Sequence, residues 1–148
     1  MPKTYKHPIS VLVVIYTRDL QVLLLERADH PGYWQSVTGS LDPGETPRQT
    51  ALREVFEETG LDAATFELSD RDIKNEYEIY PEWRHRYAPG VTRNTEHVFG
   101  LKLPHPVPVK PAPREHLSFI WLPPQEAARK VFSPSNAAAI LRLVELAQ

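Results

Sequence analysis

Glu54, Glu57 and Glu58 stand three and four residues apart, so on a helix their carboxylates project from one side. Like charges at that spacing cost an isolated helix roughly 0.2–0.5 kcal/mol per pair. A divalent cation turns that cost into a gain, because hard carboxylate oxygens are the ligands that Mg²⁺ takes. An acidic helix face met alone reads as solvated surface. Here it follows a glycine-rich stretch, Gly39 to Gly44, that carries a further carboxylate at Glu45.

The helix itself is bounded by its own residues. Thr46 suits the N-cap, Pro47 the first helical position, and Gln49 completes a capping box, while Gly60 supplies a left-handed stop. Between these limits Ala51, Leu52, Val55, Phe56 and Thr59 are expected on the core side and the three glutamates opposite them, away from the core. The full pattern, Gly39-x5-Glu45-x7-Arg53-Glu54-Val55-x-Glu57-Glu58-x-Gly60-Leu61, resembles the signature of the Nudix hydrolases. That resemblance implies an α/β fold, an α/β/α sandwich with a mixed sheet between helices. It also implies hydrolysis of a diphosphate linkage with Mg²⁺, or Mn²⁺ in its place.

Glu54 and Glu58, one turn apart, are the first candidates for metal ligands, and Glu57 for a second ion or for orienting water. The guanidinium fork of Arg53 suits holding Glu45 in place. Glu45, Arg53, Glu57 and Glu58 thus form the expected catalytic group, with the general base left open among the carboxylates. Family members often recruit another acid from a later loop, which makes Glu115 a candidate ligand or base; His116 beside it is expected to be structural or superficial.

A triphosphate brings about four negative charges that must be neutralised. Lys6, Arg27, the Thr38-Gly39 turn and Ser133, at the start of the last helix, are candidates for holding it. Tyr77 and Tyr80 open an aromatic and basic segment, 77–94, suited to stacking on a flat heterocycle, although a β-core with arginines at its rim accounts for part of it. Trp34–Ser40, Arg84–Glu96, Tyr5-Lys6 and Ser133–Asn136 are similar to the bacterial branch of the family that acts on dihydroneopterin triphosphate. The similarity implies release of pyrophosphate, leaving the monophosphate, in folate biosynthesis. A (deoxy)nucleoside triphosphate pyrophosphatase with dATP-like substrates is the alternative. A nucleotide-sensing module without catalysis comes third, since a pure binder has no need of three clustered carboxylates.

The remaining sequence must position these groups. The chain of 148 residues fits one domain, 1–148. A net charge of −2 gives no footprint for duplex nucleic acid, and the absence of cysteine excludes disulfides and thiolate chemistry. The N-terminal residues lack a signal-peptide apolar run, and none reaches the ~20 residues that span a bilayer. A soluble cytoplasmic monomer acting on a small molecule, with no membrane partner, is the expectation.

Ile9–Tyr16 and Val22–Leu25 read as a hairpin, Trp34–Thr38 as a third strand, and Tyr77–Tyr80, Thr92–Leu103 and Leu117–Leu122 as later strands. Asn136–Ala147 reads as a helix capped by Ser133 or Ser135, with Ile140, Leu141, Leu143 and Val144 for its contacts. Five of the 15 prolines lie in Leu103–Pro113, a stiff loop between strands or a polyproline II ligand.

Overall fold

Alternation along the first strand creates two apolar layers. In the computed structural model, which describes residues 5–112 and 115–147, β1 (Ile9–Thr17) points Val11, Val13 and Ile15 to one side and Leu12 and Val14 to the other. On the first side lies α1 (Pro47–Thr59), burying Ala51 and Val55. On the second lie α2 (Pro124–Lys130) and α3 (Pro134–Ala147), which bury Ala127, Ala139, Ile140 and Leu143. The mixed sheet between these helices makes the expected α/β/α sandwich. Full burial of a side chain such as Ile140 contributes about 1.5–3 kcal/mol.

β2 (Val22–Arg27) follows β1 through a turn in which Leu20 takes φ 62° and the Gln21 amide donates to Thr17 Oγ1 at 2.9 Å. The expected hairpin closes at a single register pair, Tyr16↔Val22, and then its strands part. β1 continues between β4 (Val37–Ser40), antiparallel, and β6 (Arg93–Leu103), parallel. β2 instead pairs with β3 (Trp34–Gln35) and β7 (His116–Leu122). The single strand expected over Trp34–Thr38 breaks at Ser36, whose amide donates to Asn136 Oδ1 at 2.8 Å.

β5 (Glu67–Glu78) borders β6 and begins well before the strand expected at Tyr77–Tyr80. It belongs to the sheet edge and exposes much of one face, so its Asp, Glu, Arg and Lys residues carry no apolar signal. Tyr80 lies beyond it, ahead of a 3-10 turn over Pro81–Arg86.

α1 has the expected capping box at Thr46 and Gln49, and Gly60 at φ 78° stops it. Its buried arc is rotated from expectation. Phe56 is 62% exposed, whereas Glu58 is 2% exposed, because β4 and the start of β7 cover the side that carries Glu58. Leu141 of α3 is likewise exposed, and the side chain of Val144 lies outside the described residues.

The proline-rich segment is a pinned strap rather than a presented ligand. Val109 is buried, the Lys110 amide donates to the Thr59 carbonyl at 3.0 Å, and Trp121 Nε1 donates to the Val107 carbonyl at 3.1 Å. Pro113 lies outside the described residues.

Candidate active site

Gly39 decides where the first carboxylate goes. It lies within β4, opposite Val11, rather than in the expected turn. A Cβ at this position would overlap the Glu54 carboxyl and stand 2.6 Å from its Cγ, so only glycine lets Glu54 lie flat against the strand. Thr38 turns its hydroxyl to the Val11 carbonyl at 2.9 Å. Glu54 thereby reaches hydrogen-bonding range of Glu58, one helical turn on.

This acid pair is poorly solvated. Burial raises the Glu54 carboxyl above its ordinary range, against the pull of Arg53. Burial raises Glu58 well above that range, reinforced by the nearby charge of Glu54 and then Glu115, with the Thr38 amide opposing. Glu58 Oε2 is buried and meets no donor.

Arg53 organises the rim. Its Nε and Nη2 donate to Glu45 at 2.8 and 2.9 Å, its Nη1 to Glu54 at 2.7 Å and Glu57 at 3.2 Å, and its Nη2 also to the Ser40 carbonyl at 3.0 Å. The fork holds Glu45 at a pKa of about 2, helped by the Asp42 amide and the Thr50 hydroxyl. Glu57 remains half-exposed on the outer side.

Glu115, exposed, joins Glu58 and His116 in a group whose candidate ligand atoms lie within 4.8 Å of one another. His116 is 4% exposed, not superficial. Its Nε2 is 3.4 Å from Glu58 Oε1 and 3.3 Å from Gln35 Nε2, and Arg27 donates to Gln35 Oε1 at 3.0 Å. Burial, with the Arg27 charge, lowers His116 to about 4. Arg27 also grips Asp29 and lies 4.7 Å over the Trp83 ring.

Across from the acids stand cations. Lys6 donates its amide to the Arg86 carbonyl at 2.9 Å. Its amine is lowered to about 8, by burial first and then by Arg86 and Arg27, while Glu54 and Glu115 pull it upward. Lys6 thus lies within electrostatic reach of Arg86 and Arg27 on the one hand and of Glu54 and Glu115 on the other.

Tyr77, offered for the heterocycle, and Ser133, offered for the phosphates, lead to two side chains of β6, whereas Tyr80 joins an aromatic group. Tyr77 Oη accepts from Asn94 Nδ2 at 3.1 Å, and burial pushes its phenol up to about 12. Ser133 caps α3 and lies 3.1 Å from Ser135, which donates to Glu96 Oε1 at 2.9 Å. Tyr80 stacks on Trp83 at 5.3 Å and meets Phe132 edge-on at 6.1 Å. Asn94, Glu96, Gln35 and Arg86 were not singled out by sequence, and Ser135 only as an alternative cap of the last helix. A signal existed for Asn94 and Glu96, which share the strand parity of buried Val98 and so place polar groups in a core register.

The donor set fits a hard divalent cation. Two poorly solvated carboxylates side by side, one of them buried with an oxygen that meets no donor, need a proton or a positive ion between them.

The NUDIX domain family matches residues 6–143. The chain is 49% identical over 145 residues to the dihydroneopterin triphosphate diphosphatase of Escherichia coli K12, covering 96% of this chain and 95% of that one. It is 44% identical to the Haemophilus influenzae protein of the same name, over 92% of this chain and 87% of the relative. The structure of the E. coli dihydroneopterin triphosphate pyrophosphohydrolase superposes with a TM-score of 0.89 at 50% identity, covering 95% of this chain and 97% of that one.

Proposed function

This chain belongs to the Nudix family, and we propose that it removes pyrophosphate from 7,8-dihydroneopterin triphosphate, leaving the monophosphate. The observation that carries the proposal is Lys6, which lies within electrostatic reach both of Arg86 and Arg27 and of Glu54, the half-buried member of the Glu54–Glu58 pair. Such a site takes a polyanion only together with a counter-ion, which is the charge pattern of a nucleotide-like triphosphate cleaved in the presence of a divalent metal. The likeness to the two named relatives supports the pterin as the heterocycle.

Glu54, Glu58 and Glu115 would hold Mg²⁺ or Mn²⁺, which when bound neutralises phosphate charge and lowers the pKa of water. The residues themselves divide the other tasks. Arg53 fixes Glu45 and Glu54 in orientation. Lys6 and Arg27 neutralise the phosphate chain, while Tyr80, Trp83 and Phe132 form a wall against which a flat ring stacks. Glu57 and Glu115 reach solvent, so either can orient or deprotonate a water. A buried base would have to lose its proton against the desolvation that acts on Glu58.

The same aromatic wall accepts a purine, which keeps a deoxynucleoside triphosphate pyrophosphatase as the second reading. Cytoplasmic residence and a monomeric state belong to the proposal; among the described residues no helix is long and apolar enough to cross a membrane. Incubation of the Mg²⁺-loaded protein with dihydroneopterin triphosphate in ¹⁸O-labelled water tests the reaction. Pyrophosphate and monophosphate should appear together, one of them labelled, and orthophosphate as the first product would overturn the assignment.

A further inference from the structure

β5 carries a bulge that no part of the proposed reaction uses. Its pairing with β6 shifts between Asp70 and Ile73, where Asp72 takes φ 57° and donates its amide to Asp70 Oδ1 at 2.8 Å. The extra residues leave the ladder, and the Arg71 side chain crosses β6 toward β1. Its Nη2 donates to Tyr16 Oη at 2.8 Å, and its Cζ lies 5.6 Å from the centre of the Tyr16 ring. The crossing passes over Gly100, where a Cβ would stand 2.6 Å from Nη2 and 2.7 Å from Nε. Only a bare strand position admits the guanidinium there.

The cation so placed is incompletely partnered. Its Nε is buried and meets no acceptor, and among the described residues no carboxylate forms an ion pair with it. Beside it β5, β6 and α3 leave a cavity of about 100 Å³, lined by Arg71, Ile73, Val98, Ala139, Arg142 and Leu143. This cavity lies on the face of the sheet that α3 covers, whereas Glu54 and Glu58 belong to α1 on the other face. Two guanidinium groups with no acid among the lining residues suit an anion. The apolar lining decides which kind. Inorganic phosphate would turn oxygens toward Ile73, Val98, Ala139 and Leu143, whose side chains donate nothing. A carboxylate keeps both acceptors at one end and offers an apolar body to the rest. We propose that this cavity is a second ligand site, apart from the hydrolytic centre, for a small organic carboxylate with a short aliphatic body. Its oxygens take the Arg71 Nε that lacks an acceptor, and its body lies on Ile73, Val98 and Leu143. A volume of about 100 Å³, roughly three waters' share of the liquid, limits that body to a few carbons.

The test titrates butyrate, inorganic phosphate and the uncharged butyramide into the full chain, following the methyl NMR signals of Ile73, Val98 and Leu143. Butyrate should shift these signals saturably, with phosphate and butyramide each bound about 10-fold or more weakly. Arg71→Gln should weaken butyrate about 10-fold or more, the scale of one charge-assisted hydrogen bond. Arg142→Gln, on an exposed position of α3, should weaken it about 3-fold or more, and this variant decides if Arg71→Gln does not fold. Absence of a saturable shift, or butyrate affinity unchanged in the variants, overturns the site. Phosphate bound as tightly as butyrate overturns the carboxylate as its ligand. The readout needs no turnover, so its failure is distinct from any failure of the proposed hydrolysis.

Discussion

Gly39→Ala separates the placement of one carboxylate from the stability of the fold. Gly39 has no positive φ, so alanine meets no backbone strain and the perturbation is steric. Its Cβ would stand 2.6 Å from Glu54 Cγ. Ordinary carbon contacts lie near 3.5–4.0 Å, so the side chain must withdraw by about 1 Å. Metal ligands tolerate only about ±0.2 Å, and a misplacement of about 1 Å costs on the order of 10²-fold in rate. That factor corresponds to about 2.7 kcal/mol of barrier. The fold should hardly notice. Alanine in a strand gains roughly 0.5–1 kcal/mol over glycine, and an off-rotamer Glu54 loses roughly 0.5–1.5 kcal/mol, so the two nearly cancel. The melting temperature should move by no more than about 4 °C. Pyrophosphate release under single-turnover conditions, with a calorimetric scan of the same sample, measures both. Retained turnover would show that Glu54 acts from some other position, and the reasoning about β4 would fail.

Glu54→Gln and Glu58→Gln should each lower kcat by about 10²-fold or more, since each loses charge at the point of electrostatic stabilisation. Glu58→Gln should melt no lower than the wild type in chelator, because its amide can donate to Glu54 where the carboxylate could only repel it; a large loss of stability would refute that account. Glu45, depressed to about 2 when folded, contributes stability that is present above the ordinary carboxylate pKa near 4.5 and is lost as pH falls through about 2. Acid titration of the melting temperature should therefore be shallower across that window in Glu45→Gln, and identical slopes would remove the Arg53–Glu45 pair as its cause. Glu115→Ala should weaken Mn²⁺ binding and lower kcat, whereas unchanged metal affinity and turnover would return Glu115 to the ordinary surface.

Much of the site could be read from the chain because its determinants are local. The capping box, the left-handed glycine and the Arg53–Glu45 fork all lie within one helix and the loop before it, where spacing alone fixes geometry. The sandwich was implied by the family resemblance, and β1 agrees with it in the structure, its apolar run facing a helical layer on each side. What the chain could not state were contacts made across the sheet. The rotation of α1 that buries Glu58 and exposes Phe56 depends on which strands cover the helix. Gly39 looked like a turn residue and proved to be a strand position kept bare for Glu54. His116 was legible only as structural or superficial and Glu96 only by its strand parity, because their partners are Gln35, 81 residues away from His116, and Ser135, 39 residues away from Glu96. Sequence sets the periodicity of each element and so the side on which a residue can stand. Only packing of the elements decides whether that side faces water, a core, or another charge.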